Sequence, residues 1–282
     1  IGMSDFDPRR TPAREDLAAL HLKGFVPAKH FVEGRSMRVI DEVIALRARP
    51  ALDCSLDTQV LHGEEVIVYD IDEGWAWGQL VSDGYVGYMP ADSLHKTPLT
   101  PTHQVHVPRT FLYATPNMKT PPVGALPMGA QVDVRGPRDE FMQVTSGLFI
   151  WAGHLAPIAE TRPDFVTTAE SFLGMPYLWG GKTCLGLDCS GLVQVALRAA
   201  GIAAPRDTDM MQAELGETVP DGAPLRRGDL VFWKGHVGLL QDAHRLLHAN
   251  GHHMQVVSEP FAEARQRIAE KSFGDVVVIK RL

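Results

Sequence analysis

Three cysteines in 282 residues are too few, and too odd in number, for a disulfide framework; Cys54, Cys184 and Cys189 read as free thiols of a reducing compartment. Long apolar runs are missing as well. Nowhere do about 18 apolar residues follow one another, so no membrane-spanning helix is expected. Basic excess is also absent: a net charge of -7 and a pI near 5.9 leave no electrostatic footprint for nucleic acid or an anionic membrane, and neither is expected as a partner. The first residues, IGMSDFDPRR, lack the basic stretch and apolar core of a secretory signal. Ile1 and Gly2 ahead of Met3 read as residues added in cloning, which points to a cytoplasmic protein, or to a periplasmic or secreted one if a signal was removed. No CxxC pair or HExxH motif gathers Cys184, Cys189, His244, His248, His252 and His253 into a zinc site, so no metal is expected.

What is present suffices for ordinary cores: 45% of residues are hydrophobic and 22% charged, and the length suits two or three domains. The stretch LDCSGLVQVALRAAG, Leu187 to Gly201, organises the rest. Asp188 is a good N-cap, Leu192, Val195, Ala196, Ala199 and Ala200 recur at helical spacing, and Gly201 supplies the stop. One apolar face should pack inward. Cys189 would then lie in the first turn, where unpaired N–H groups and the helix dipole favour a thiolate and lower its pKa. A small apolar residue buried in a helix is the plain alternative.

Upstream, residues 4 to 35 read as an extended N-terminal arm with a short helix around Arg14 to Leu20. From about residue 36 short alternating runs broken by Gly, Pro and Asp predict small β-barrels. There is an internal repeat. Leu46, Ala48, Pro50, Gly63, Val66, Val68 and Trp75 match Leu112, Ala114, Pro116, Gly129, Val132, Val134 and Phe141 at one shared offset of 66. Each unit reads as strand, Pro loop, Gly-turned hairpin, aromatic strand and last short strand. Two barrels are thus expected, over 36–98 and 102–158, separated by the linker HKTPLTPTH; Trp75, Trp77, Tyr85 and Tyr88 read as exposed aromatics.

After the Pro-rich LAPIAETRP the period changes from 2 to 3.6, and residues 164–282 read as an α+β domain with the Cys189 helix at its heart. Asp164 and FVTTAESFLG give a helix ended by Gly174, and DVVVIKRL a closing strand. The segment HVGLLQDAHRLLH reads as a hairpin turning near Asp242 to His244. If His236 and His248 pair across it, their side chains share a face with Cβ atoms about 5 Å apart. His236 would serve Cys189 as base, and His248 would orient it through a ring-to-ring hydrogen bond; His252 is the other candidate for that third place.

In order along the chain stand PYLWGG (Pro176 to Gly181), LDCSGLVQ, PRDT followed by Gln212, GDLVFW (Gly228 to Trp233), GHVGLL (Gly235 to Leu240) and LLHANG (Leu246 to Gly251). Together they resemble the NlpC-type family of papain-like bacterial cell-wall peptidases. The resemblance implies a papain-like α+β domain, Cys189 as nucleophile, His236 as base, His248 as the third polar residue and Tyr177 as a donor to the oxyanion. It also implies that Asp188, Ser190, Arg206, Asp207 and Thr208 line the substrate groove, with Thr208 where many relatives have Ser. The paired barrels in front resemble bacterial SH3-like domains.

That architecture is similar to the γ-D-glutamyl-L-diamino acid endopeptidases, whose first barrel closes the groove so that only peptides with a free N-terminal L-alanine fit. The resemblance points to Tyr85 for that contact, with Tyr88 as second choice. It leaves the acidic partner of the amine unplaced; the LRARP loop carries Arg49 instead. The activity so implied is cleavage of L-Ala-γ-D-Glu-diamino acid muropeptides by a thiolate, without metal or organic cofactor, by a monomer recycling cell-wall peptides. A secreted hydrolase of intact peptidoglycan, a non-enzymatic binder of wall fragments and an acyltransferase using the same thioester are the alternatives.

Overall fold

The computed structural model describes residues 6–96 and 100–282. The reading of Ile1, Gly2 and Met3, the barrel boundary at 98 and the middle of the HKTPLTPTH linker lie outside the described residues. Two compact units divide the chain, Ile1–Ile158 and Ala159–Leu282.

The first unit holds two β modules. In the first, a five-stranded sheet runs in the order Val86–Pro90, Trp75–Leu80, Glu65–Asp72, Arg35–Val39, Leu94–His95, with the hairpin Val43–Leu46/Thr58–Leu61 beside it. Val39, Leu46, Val60, Val66, Val68 and Leu80 fill its core, the inward half of each strand's alternation. In the second, the strands Pro122–Pro127, Arg109–Tyr113, Phe149–Trp151, Phe141–Val144 and Val134–Arg138 form one sheet, with three short strands beside it. Val105, Leu126, Ala130, Val132, Val144 and Ile150 close around its interior. The repeat of the sequence is a repeat of structure: Val66 and Val132 occupy equivalent core places. The modules are fastened to each other, since Gln131 N–H donates to the His62 carbonyl at 2.8 Å and Ala125 N–H to the Glu42 carboxylate at 2.7 Å.

The helix expected around Arg14 to Leu20 is not there. Leu17–Ala19 is a strand, parallel to His30–Val32, followed by a short 3-10 turn at Leu20–Leu22. Ala18 and Ala19 are fully buried, and that packing outweighs their helical propensity. The arm is also no loose extension: Arg14 pairs with Asp70 at 2.7 Å, donates to the Tyr88 hydroxyl at 3.2 Å and lies 4.6 Å over the Trp77 ring.

The second unit is a six-stranded antiparallel sheet, in the order Glu217–Thr218, Val278–Arg281, Leu230–Trp233, His236–Leu240, Arg245–Asn250, Gln255–Pro260. Four helices accompany it: α1 (Phe165–Glu170), α2 (Cys189–Ala199), α3 (Thr208–Glu214) and α4 (Phe261–Lys271). Asp164 caps α1 through Thr167 N–H, and α4 buries Phe261, Ala264 and Ile268 against Val231, Trp233 and Leu246. The single apolar face expected of α2 proves too modest, since every residue from Ser190 to Leu197 is buried. The helix is the centre of this unit, packed against α1 and against the strands of His236 and His248.

Candidate active site

The site grows from the start of α2. Asp188 N-caps the helix, its Oδ1 accepting Gly191 N–H at 2.7 Å and its Oδ2 accepting Gly180 N–H at 2.8 Å. One carboxylate thus ties the PYLWGG loop to the first helical turn. The fit leaves no room for a side chain at 191, where a Cβ would stand 2.1 Å from the Gly181 carbonyl oxygen. Arg206, 1% exposed, completes the arrangement with bonds to both Asp188 oxygens at 3.0 and 2.7 Å, to Ser190 Oγ at 2.8 Å and to the Gly181 carbonyl. Asp188, Ser190 and Arg206, expected to line a groove, here bond to one another and to backbone, and hold the nucleophile's turn rigid. Asp207 stands at the N-cap of α3 without capping it.

Cys189 is the first residue of α2 and is half-buried. Its sulfur accepts from the backbone N–H groups of Val237 and Ser190 and lies 3.9 Å from Thr208 Oγ1. The lowered pKa expected from the helix dipole is not what its surroundings produce. Burial, reinforced by the Asp188 charge, pushes the thiol up to about 11, and those N–H groups and Thr208 offset only part of that. Tyr177, held by its N–H on the Met254 carbonyl at 2.9 Å, is kept protonated by burial first and then by the charges of Cys189 and Asp188. It is a neutral hydroxyl.

His236 precedes Val237 on the strand facing α2. Its Nε2 meets His248 Nδ1 at 2.8 Å, with ring centroids 5.1 Å apart. The pairing differs from the direct one expected. The register sets Leu239 against Leu247 and Leu240 against Leu246, which puts His248 across from Gly238 and makes the two histidines diagonal neighbours on one face. Gly238 permits this, because a Cβ there would stand 3.1 Å from His248 Cβ and 2.8 Å from Leu246 Cδ1. His252 is not the third member: it packs edge-on against His253 at 4.7 Å.

Four contributors escaped the sequence reading. Phe273 stacks on His236 at 5.3 Å, with Trp233 at 5.5 Å. Glu259, on the strand next to His248, reaches His248 Nε2 at 2.7 Å, and Arg267 of α4 holds both oxygens of that carboxylate. Only the strand register, Leu246 against Glu259 and His248 against Val257, reveals that Glu259 shares a face with His248. Burial, with the neighbouring His248, lowers His236 to about 3, and burial also lowers His248. Burial opposes the Glu259 anion, but hydrogen bonds from Arg267 and His248 prevail and hold its carboxyl well below the usual range.

Of the aromatics expected on the first module, Trp77 is 4% exposed under Arg14, and Tyr85 is 5% exposed within the core. Tyr85 belongs to the same core cluster as Val39, Leu46 and Met89. None of the three cysteines is in a disulfide. Among the described residues no group of three His, Cys, Asp or Glu side chains could hold a metal ion, and no helix is long and apolar enough to cross a membrane.

A thiol on the first turn of a buried helix, backed by two imidazoles from an antiparallel sheet, defines a hydrolase that works through a cysteine. Residues 174–280 match the NlpC/P60 family, and residues 46–94 match a bacterial dipeptidyl-peptidase Sh3 domain. The γ-D-glutamyl-L-lysine dipeptidyl-peptidase of Bacillus subtilis (strain 168) is 32% identical over 218 residues, 70% of this chain and 73% of that protein. The protein of the same name from Bacillus cereus is 30% identical, over 63% of this chain and 60% of its own length. The crystal structure of an NlpC/P60 family protein from Bacillus cereus shares the fold, with a TM-score of 0.72 over 88% of this chain and 99% of that one, at 21% identity. The chain belongs to the NlpC/P60 family, and it is a peptidase.

Proposed function

We propose that the chain hydrolyses the bond between the γ-carboxyl of D-glutamate and an L-diamino acid, lysine or diaminopimelate, in peptidoglycan-derived peptides with a free N-terminal L-alanine, releasing L-Ala-D-Glu. The observation that carries this is the Cys189 helix turn backed by the His236–His248 contact of 2.8 Å. The relatives named γ-D-glutamyl-L-lysine dipeptidyl-peptidase support the substrate class, and the match of residues 46–94 supports the dipeptide-releasing mode. A cytoplasmic place of action is part of this reading, supported by three cysteines none of which is in a disulfide.

In the reaction the Cys189 proton passes to His236. A lone thiolate at Cys189 and a lone imidazolium at His236 are each disfavoured by burial, so the two charges arise together and stabilise one another. The thiolate attacks the γ-carbonyl, and the oxyanion accepts from the Cys189 backbone N–H and the Tyr177 hydroxyl. Each such donor is worth about 3 kcal/mol in the transition state. His236 gives its proton to the leaving amine, leaving a thioester. Water, deprotonated by His236, then attacks that thioester; L-Ala-D-Glu departs and the thiol is restored. Thr208 stands beside the sulfur.

Mass spectrometry of products from L-Ala-γ-D-Glu-diaminopimelate, with and without N-acetylation of the alanine, tests the reading. Cleavage of the free-amine peptide alone, lost in Cys189→Ala, is expected. Equal cleavage of the acetylated peptide would replace it with a hydrolase of intact wall, and cleavage by Cys189→Ala would remove the nucleophile.

A further inference from the structure

We propose that Glu259, clamped by Arg267, is a positioning residue that fixes the order of protons along His248 and His236, so that the base is held ready to accept from Cys189. The inference rests on the thiol-hydrolase reading above and extends it from three side chains to five.

Both terminal guanidinium nitrogens of Arg267 donate to the Glu259 carboxylate, which keeps it ionised, and an ionised carboxylate can only accept. Its 2.7 Å contact with His248 Nε2 therefore requires a proton on that nitrogen. A neutral His248 then has a bare Nδ1. The 2.8 Å contact with His236 Nε2 must in turn carry the His236 proton, which leaves His236 Nδ1 bare, the nitrogen remote from His248. That is the tautomer a general base needs.

A second neighbour asks for the opposite order. The Asn250 carbonyl oxygen accepts His253 N–H at 2.8 Å, which fixes the amide and aims its NH2 at the same His248 Nε2, 3.1 Å away. Asn250 would donate to a bare Nε2, and the chain would then run in reverse, with the proton on His236 Nδ1 and nothing to accept from Cys189. The charge-assisted bond to Glu259 is the shorter and stronger one, and it decides. The anion also stabilises the His236 imidazolium through His248. The charged and titratable groups acting on the two rings are Glu259 from the neighbouring strand, Arg267 from α4 and His253 just beyond the end of the His248 strand, with the Asn250 amide beside them.

Histidine 15N NMR of the whole chain reads the tautomers directly and needs no substrate. Wild type should show Nε2–H on both His236 and His248, and Glu259→Gln should move the His248 proton to Nδ1. In kinetics with the γ-D-glutamyl peptide, Glu259→Gln should lower kcat about tenfold or more with KM unchanged. The basic limb of its pH profile should move down by about one unit, because the imidazolium has lost its anion. Exchanging the pair, Glu259→Arg with Arg267→Glu, keeps an ion pair for the fold but puts a donor against His248, and should be the least active form at an unchanged melting temperature. A His248 Nδ1–H tautomer in wild type, or Glu259→Gln with wild-type tautomers and a superimposable pH profile, would overturn the proposal. Wild type inert on every γ-D-glutamyl peptide would instead sink the functional reading, while the NMR arm would still decide the proton order.

Discussion

Two carboxylate–arginine pairs stand behind the two halves of the site; their carboxylates are about equally buried, and they differ in the depth of the arginine. Asp188–Arg206, behind Cys189, has side chains 11% and 1% exposed; Glu259–Arg267, behind His248, has 13% and 19%. The first also spends its atoms on four neighbours, Gly180, Gly181, Ser190 and Gly191, and so fixes backbone. The second contacts a titrating ring and so fixes a proton. Buried charge builds the platform that the nucleophile stands on, whereas a partly exposed charge, still able to respond to its surroundings, orders the base.

The sharpest way to break the comparison is to remove each arginine. Arg206→Leu strands Asp188 in a buried site and should cost about 3–5 kcal/mol of stability in urea denaturation. Arg267→Leu should cost less by the same measurement, about 1–3 kcal/mol, because Arg267 is itself partly exposed and the His248 N–H still bonds the carboxylate it leaves behind. Equal costs would erase the distinction. Gly238→Ala comes next: its Cβ meets His248 and Leu246, overpacking costs about 1–3 kcal/mol, and kcat should fall as the rings are pushed apart.

Acid should act on the base side of the comparison. His236 titrates at about 3 in the fold against 6.5 ordinarily, so the unfolded chain binds its proton first. Stability is therefore full above pH 6.5 and is lost as the pH falls toward 3, by about 2 kcal/mol at pH 5 from this residue. His248 adds in the same direction. Melting temperatures taken between pH 7 and pH 4 should decline in wild type and decline less in His236→Phe. Phe273→Ala gives the smallest effect, about 1 kcal/mol from the lost stack on His236.

Much of this was legible from residues. The period change after LAPIAETRP, Asp188 as a cap, the repeat at offset 66 and the turn near Asp242 all follow from local chemistry that neighbouring residues dictate. What escaped depends on partners far apart in sequence. The Arg14 segment is a strand because distant residues bury Ala18 and Ala19. The histidines meet diagonally because Gly238 leaves space across the ladder, a fact of register that the spacing of 12 between them does not contain. Glu259 and Arg267 carry no local mark, and only pairing beside the His248 strand brings them to the ring. The Cys189 environment was misjudged because a helix terminus is visible in sequence and desolvation is not.

The account's central claim is that Cys189 becomes a thiolate only by handing its proton to His236. The rate of iodoacetamide alkylation at Cys189, followed by peptide mass spectrometry against pH in wild type and His236→Ala, tests it most directly. The account predicts alkylation near neutral pH in wild type, and in the variant a rise only toward pH 11, where the unpartnered thiol ionises. Superimposable profiles would contradict it, since they would mean that the thiol ionises without the imidazole.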